Sequence, residues 1–188
     1  MSDSSTSNPL SEVLARYFWR ADADGRIPSI FSLLDSARNE NIFPRLLRSD
    51  SDFLCLYRGE MEDDLADVAP YLVRLDRLSS LVPWLLANGF GRDWGIFVES
   101  DASLRALRRH FERFLTVYGE DGTPLFFRFY DPRVLRVYLP TCNAEELSLF
   151  FGPVNRFLIE DQDGRSLVEY ALTGTSLTRK TVRVSDLP

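Results

Sequence analysis

Histidine and cysteine are scarce in this chain, which excludes several kinds of site. Among 188 residues there are one histidine and two cysteines. Cys55 and Cys142 lie far apart in contexts typical of an apolar run and a helix start, so neither a disulfide framework nor a zinc site is predicted. His110 lies between Arg109 and Phe111 in a predicted helix, and these neighbours do not suggest a catalytic triad. We interpret it as a histidine on the helix surface.

Long apolar runs and excess positive charge are also absent. No apolar stretch approaches the roughly 20 residues of a membrane span, and residues 1–12 lack the basic start and apolar centre of a signal peptide. We therefore expect a cytoplasmic protein without membrane insertion. Asp and Glu number 28 against 22 Lys and Arg, a net charge of -6. This sign is wrong for a nucleic-acid partner.

No glycine-rich phosphate loop is recognisable, so no cofactor is expected. The segment GFGRDWG (residues 89–95) contains a G-x-G pattern. It precedes a predicted strand, whereas a nucleotide-binding loop joins a strand to a helix.

The length and the 45% hydrophobic content favour one globular domain. We predict a disordered leader over residues 1–9, a single domain over 10–176 and a mobile tail over 177–188. The alternation of strands with helices indicates an α/β (mixed α+β) fold, with a mixed sheet covered by helices and a C-terminal strand pair. The predicted strands cover residues 27–31, 53–57, 71–75, 94–98, 125–130 and 154–160.

The clearest helix follows the fourth predicted strand, in the segment DASLRALRRHFERFL (residues 101–115). Its apolar residues recur at intervals of three and four, which places them on one helix face. Earlier, a helix after residue 36 is expected to end near Pro44. Inward positions of the predicted elements give an expected core of Leu56, Leu72, Phe97, Leu107, Phe111, Phe127 and Leu135.

Charge is distributed unevenly along the chain. Residues 50–68 hold seven acids against Arg58, and residues 101–136 hold seven arginines against five acids. The EMEDD segment lacks the ligand spacing of a calcium loop, so no metal is expected. We interpret both regions either as solvated faces or as surfaces that orient a protein partner. The candidate binding residues are Glu60, Glu62, Asp63, Asp64, Arg105, Arg109 and Arg113.

The most unusual stretch is FRFYDPR, which comprises Phe127, Arg128, Phe129, Tyr130, Asp131, Pro132 and Arg133. Asp131 followed by proline predicts a helix N-cap with proline at the first helical position. Alternation along a strand would set Arg128 among aromatic rings. It either pairs with a carboxylate such as Asp131 and fixes a structural corner, or lies exposed on an aromatic binding face around Phe126, Arg128 and Tyr130.

Eight phrases in a matching order resemble the adaptor-chaperones of type VI secretion systems, the Tap or TEC proteins, first catalogued as a bacterial domain of unknown function. The resemblance covers roughly residues 27–160. Its phrases are LLDSAR (33–38), LYRG (56–59), APYLVRL (69–75), WLL (84–86), WGIFVES (94–100), LRRHFERFLTV (107–117), FRFYDPRVLRVYLP (127–140) and FFGPV (150–154).

This resemblance implies a non-enzymatic protein that holds a toxic effector and delivers it to the VgrG spike, with no catalytic residue and no cofactor. Family members commonly carry a helical lobe after the FFGP phrase, where this chain has a predicted strand pair. Two alternatives remain. One is an immunity-type protein that binds the catalytic domain of a toxin. The other is a small hydrolase with a carboxylate site built from Asp131 and the acids of residues 60–67.

Overall fold

The computed structural model describes residues 9–22 and 24–187. Within them lie seven α-helices: α1 (Pro9–Phe18), α2 (Ile42–Leu47), α3 (Glu60–Asp64), α4 (Leu81–Gly89), α5 (Leu104–Glu112), α6 (Pro132–Tyr138) and α7 (Ala144–Phe151). The strands are β1 (Ile30–Asp35), β2 (Phe53–Cys55), β3 (Pro70–Leu75), β4 (Gly95–Ser100), β5 (Thr116–Tyr118), β6 (Pro124–Phe126), β7 (Val154–Glu160), β8 (Ser166–Thr173) and β9 (Ser176–Arg183).

Seven of these strands form one sheet in the order β2-β3-β1-β4-β7-β8-β9, and β5 and β6 form a separate hairpin. The predicted α/β class is confirmed. The expected mixture of strand directions is not found, because every pairing in the large sheet is antiparallel. Strands β3 and β4 both run opposite to β1, and α4 joins them across it. Strands β3 and β4 are therefore parallel to each other, as the strand–helix–strand pattern suggested, but β1 lies between them in the sheet.

The sheet carries a hydrophobic core on each face. Successive side chains of a strand point to opposite faces, so Ile30 and Leu34 of β1 enter one core while Phe31 and Leu33 enter the other. The first core is covered by α1, α2 and α4, and the second by α5, α6 and α7. A sheet covered on both faces explains the nearly continuous apolar runs of its central strands.

Strand predictions succeed where the apolar run is uninterrupted and shift where polar residues are buried. Strand β7 begins and ends at the predicted residues, and β3 and β4 agree with prediction within two residues. Strand β1 begins three residues later and ends four residues later than predicted. It continues through Ser32 because the Ser32 hydroxyl, buried inside the sheet, donates a hydrogen bond to the Ile96 carbonyl at 3.1 Å. The strand predicted over residues 125–130 ends at Phe126, since the chain turns there and Asp131 N–H bonds the Arg128 carbonyl at 3.0 Å.

The structure corrects the predictions for Pro44 and for the tail. Pro44 is the third residue of α2 and does not end a helix. The first four N–H groups of a helix lack intrahelical partners, so a proline there costs no hydrogen bond. The tail expected to be mobile over residues 177–188 contains β9, which pairs along its whole length with β8. Eight residues of the predicted leader lie outside the described residues, and Pro9 begins α1.

The predicted core is confirmed at six of seven positions. Leu56, Leu72, Phe97, Leu107, Phe111 and Leu135 are buried. Phe127 is only partly buried, because it lies beyond the end of β6 and packs its ring against Tyr138 at 4.7 Å.

Gly95 marks the closest approach of two central strands and generates a stability prediction. A Cβ at this position of β4 would overlap the backbone carbonyl of Leu33 in β1. Gly95→Ala should therefore force the strands apart and lower the free energy of unfolding by about 1–3 kcal/mol. Urea unfolding measures this, with Ser176→Ala at an exposed strand end as the control. Equal stability of the two variants would contradict the close approach.

Candidate protein-binding surface

Tyr57 is the point at which the candidate segments meet. Arg108 of α5 donates a hydrogen bond from its guanidinium to the Tyr57 carbonyl at 3.0 Å. The ring of Phe126, at the end of β6, lies 6.2 Å from the Tyr57 ring. Burial raises the pKa of Tyr130, and its interaction with the neighbouring Tyr57 raises it further. One side chain and its backbone thus join the arginine-bearing helix, the hairpin and the FRFYDPR motif.

Beside Tyr57 an ionic network connects the acidic segment to α5. Arg58 donates from two nitrogens to Glu112, which also pairs with Arg108 at 2.9 Å. Arg108 then reaches Glu62 at 3.6 Å. The acidic segment forms α3 and a 3-10 helix over Ala66–Val68. The two charged regions predicted from sequence are therefore adjacent, and their facing charges compensate each other.

Other charges of the two regions have no such compensation. In the described part of the chain, no hydrogen bond or ion pair involves the side chains of Glu60, Asp63, Asp64, Arg105 and Arg109, and all five residues are exposed. These side chains are free to contact a partner. Arg113, the remaining candidate, is engaged with His110.

His110 is buried, which corrects the prediction of a surface histidine. Its Nε2 lies 2.8 Å from the Phe150 carbonyl and its Nδ1 lies 2.8 Å from the Arg113 guanidinium. Because a guanidinium only donates, Nδ1 accepts and Nε2 carries the proton. Burial, together with the charge of Arg113, lowers the pKa of His110. Gly152 lets α7 approach, since a Cβ there would overlap the His110 ring. The histidine is a structural link between α5 and α7.

The FRFYDPR motif forms a structural corner, and the main partner of its arginine was missed. Arg128 donates to the buried carboxylate of Asp35 at the end of β1, while Asp131 lies farther away at 3.8 Å. Phe129, which follows Arg128 in the chain, is fully buried. Its ring lies 5.6 Å from the Phe111 ring and 5.7 Å from the Phe150 ring. The exposed aromatic face considered for Arg128 and Tyr130 is thus not formed by Tyr130, which is buried.

The predicted N-cap at Asp131 is confirmed. Its carboxylate accepts the Arg133 backbone N–H at 3.0 Å, and Pro132 occupies the first helical position. The same carboxylate accepts from the Arg133 guanidinium at 2.9 and 2.6 Å. Burial opposes ionisation of Asp131, but the Arg133 hydrogen bonds and charge prevail and lower its pKa.

The GFGRDWG segment (residues 89–95) donates hydrogen bonds to a carboxylate of the protein itself, that of Glu160. Both oxygens of the Glu160 carboxylate accept backbone N–H groups, from Gly91 and from Asp93. Gly91 and Asp93 have φ values of 79° and 54°, a local geometry that turns successive amides toward one acceptor. Burial raises the pKa of Glu160 to about 7. The glycine pattern is therefore explained by an internal carboxylate at the end of β7.

The hairpin of β5 and β6 exposes four apolar side chains, of which the sequence prediction named only Phe126. Tyr118, Phe126, Leu125 and Val117 are 72%, 64%, 51% and 41% exposed. Its two strands pair antiparallel. The strand propensity of a segment does not depend on whether another element covers it. The only sequence features that could have indicated this exposed surface are the shortness of the strands and the apolar residues on both of their faces.

Neither a metal site nor a membrane span is found in the part of the chain that the structure describes. No group of three or more His, Cys, Asp or Glu side chains could hold a metal ion among these residues. None of the described helices combines the length and apolar content needed to cross a membrane.

Comparison with known proteins identifies one family. A family model described as a domain of unknown function (DUF4123) matches residues 30–149. The matched region runs from β1 to α7 and contains α3, α5, the hairpin and the FRFYDPR corner. No curated protein and no solved structure matches the chain.

Replacement of the Asp131 cap should destabilise the protein in a pH-dependent way. Asp131→Ala removes the acceptor at the start of α6 and should lower the free energy of unfolding by about 0.5–2 kcal/mol. Because the folded pKa of Asp131 is depressed, its contribution is complete above the unfolded value of about 3.9 and declines as the pH falls through the folded value. Urea titrations of both proteins at several pH values measure this. A difference that is absent at neutral pH would remove the capping role.

His110 should make the folded protein sensitive to mild acid. The unfolded chain binds a proton near pH 6.5, whereas the folded chain holds the imidazole neutral to lower pH. The contribution of His110 to the unfolding free energy should therefore fall as the pH decreases below about 6.5, while Glu160, whose folded pKa is raised, contributes in the opposite direction. His110→Gln retains a donor and an acceptor without titrating, so the difference in stability between the wild-type protein and this variant should become less favourable to the wild type over this range. Parallel profiles of the two proteins, measured by urea unfolding, would refute this assignment.

Proposed function

Since the chain belongs to the DUF4123 family of domains of unknown function, we propose that it is a non-enzymatic adaptor, or chaperone, of a bacterial type VI secretion system. In this role it binds a toxic effector protein in the cytoplasm and helps to load it onto the VgrG spike. The resemblance of the eight sequence phrases to adaptor-chaperones supports this role, and seven of those phrases lie wholly within the family match.

The observation that carries the proposal is the exposed hairpin beside uncompensated charges. Tyr118 and Phe126 leave most of their surface in water, and exposed apolar patches rimmed by polar residues are typical of protein-binding surfaces. Unpaired Asp63 and Asp64 on α3 and unpaired Arg105 and Arg109 on α5 lie on the two helices that Arg108 links to Tyr57, the neighbour of Phe126, and we assign them to this rim. Apolar groups at an interface centre hold a complex together, and rim charges govern how quickly it forms.

The engagement of Asp131 argues against the hydrolase alternative. Its two carboxylate oxygens accept one backbone N–H and two guanidinium nitrogens from Arg133. A general base must be able to take a proton from water or substrate. The geometry of Asp131 favours capping and pairing instead, and we propose no catalytic residue.

Co-purification tests the proposal directly. The intact protein is co-expressed with the products of adjacent genes that encode a spike and a toxin, and stable complexes are isolated by size-exclusion chromatography. An adaptor should bind the toxin without inhibiting the isolated catalytic domain and should also associate with VgrG. Binding that blocks the toxin's active site, with no association with VgrG, would favour an immunity protein. No complex with either product would refute the adaptor role.

Reversal of the free arginines should change the rate of association. Arg105→Glu with Arg109→Glu should slow association with the partner by about tenfold at low salt and flatten its salt dependence. Neither side chain forms a hydrogen bond or ion pair within the described residues, and both are exposed, so the domain should remain folded. Surface plasmon resonance measures the rate, and a chelator added to the buffer should leave it unchanged.

A matched control uses exposed arginines elsewhere. Arg48→Glu with Arg77→Glu makes the same change in net charge at positions that form no ion pair in the described chain. Equal effects of the two double variants would mean that the association rate responds to net charge alone. In that case α5 would have no specific role in orienting the partner.

A further inference from the structure

The hairpin is fixed at both ends by hydrogen bonds, and its apolar residues are largely exposed. At its tip, the Gly119 N–H bonds the Thr123 carbonyl at 2.9 Å, and Asp121 accepts the Thr123 N–H and hydroxyl at 3.0 and 2.7 Å. At its root, the Phe127 N–H bonds the Leu115 carbonyl at 2.9 Å. An isolated two-stranded hairpin is only marginally stable in water. The hydrogen bonds at the tip and at the root therefore maintain the shape of this hairpin, although its strand residues are exposed.

The two faces of the hairpin differ in chemistry. Thr116 pairs with Phe126, Val117 with Leu125 and Tyr118 with Pro124. Directly opposed residues share a face, so Tyr118 and Phe126 lie on one face while Val117 and Leu125 lie on the other. The aromatic face is the one that contacts Tyr57, through Phe126 at 6.2 Å. It is therefore the face next to the segment that leads into α3.

Helix α3, which carries uncompensated acids, is linked to this aromatic face through Arg108 and Tyr57. Helix α3 begins three residues after Tyr57. Glu62 points back to Arg108, whereas Glu60, Asp63 and Asp64 are exposed and unpaired among the described residues. Aromatic faces and carboxylates both attract guanidinium and ammonium groups. The carboxylates of α3 would repel an acidic segment from this part of the surface.

We infer that the aromatic face of the hairpin, with α3 at its rim, docks a segment of the partner protein in which apolar residues alternate with arginine or lysine. The mode is contact with the face. Addition of a strand to the hairpin edge is disfavoured, because each strand has only three residues and Pro124 lacks an N–H group. The inference deepens the adaptor proposal and rests on it, since it specifies the segment that meets the hairpin and α3, while Arg105 and Arg109 on α5 orient a separate, acidic part of the partner.

Two short synthetic peptides test the chemistry on the intact protein. They share the same apolar residues and differ only in carrying arginine or glutamate at the intervening positions, and a fluorescent label reports binding by anisotropy. The arginine peptide should bind at least about tenfold more tightly than the glutamate peptide. Tyr118→Ser with Phe126→Ser should weaken its binding by about tenfold or more.

Matched variants separate the surface from general effects. Val137→Ser with Leu149→Ser removes apolar side chains that are 67% and 58% exposed on other helices, and binding should be unchanged. Asp63→Lys with Asp64→Lys should weaken binding of the arginine peptide, while Glu40→Lys with Glu145→Lys, with the same charge change, should not. Thermal unfolding should be similar for all of these variants because the altered side chains are exposed.

Each outcome decides the inference. Equal affinity for the two peptides, or unchanged binding by the Tyr118 and Phe126 double variant, overturns it. The adaptor proposal is judged separately, by complex formation with the effector and VgrG. If the wild-type protein forms that complex and the double variant forms it equally well, the docking inference fails and the adaptor role stands. If no complex forms, the adaptor role fails, and the peptide result still decides the chemistry of the surface.

Discussion

The pairing of Arg128 with Asp35 is the interaction on which the arrangement of the candidate surface depends. Asp35 ends β1 in the middle of the sheet and is 1% exposed, so its charge requires a partner that remains in place. Arg128 provides this partner and lies 3.8 Å from Asp131, the cap of α6. Asp35 also accepts the N–H of Ala37. A single buried carboxylate thereby connects the sheet, the segment that follows the hairpin and the start of α6.

Local signals in the sequence predicted much of this architecture, and contacts between distant residues were missed. The Asp131 cap could be predicted because the cap, its proline and the N–H that it accepts lie within three consecutive residues. The partner of Arg128 is 93 residues away, and only the tertiary fold brings it near. His110 was misassigned for the same reason. Its helix has a clear apolar stripe, but the carbonyl that accepts the hydrogen bond of the buried His110 ring belongs to Phe150, 40 residues away.

The candidate binding residues show a similar division between composition and geometry. Charge counts correctly identified two regions of opposite sign, but counts do not reveal which charges neutralise each other. Arg108 and Glu62 compensate across the contact between α5 and α3, whereas Arg105 and Asp63 remain free. The difference arises from position on a short helix, where one face contacts the neighbour and the other faces water. A sequence can therefore indicate the polarity of a surface before it indicates the residues available to a partner.

The hairpin combines two properties that are usually opposed, because it is firmly anchored and yet uncovered. Phe127 at its root packs on Tyr138, and Phe126 touches Tyr57, so its position is set by the second core and by the ionic network next to Tyr57. Tyr118, nearer the tip, remains 72% exposed. A surface held in one conformation before contact loses less conformational entropy when a partner binds. In the proposed adaptor, the buried charges and aromatic packing next to the hairpin would favour binding by reducing this entropy loss, while the exposed rings and unpaired carboxylates would select the chemistry of the partner.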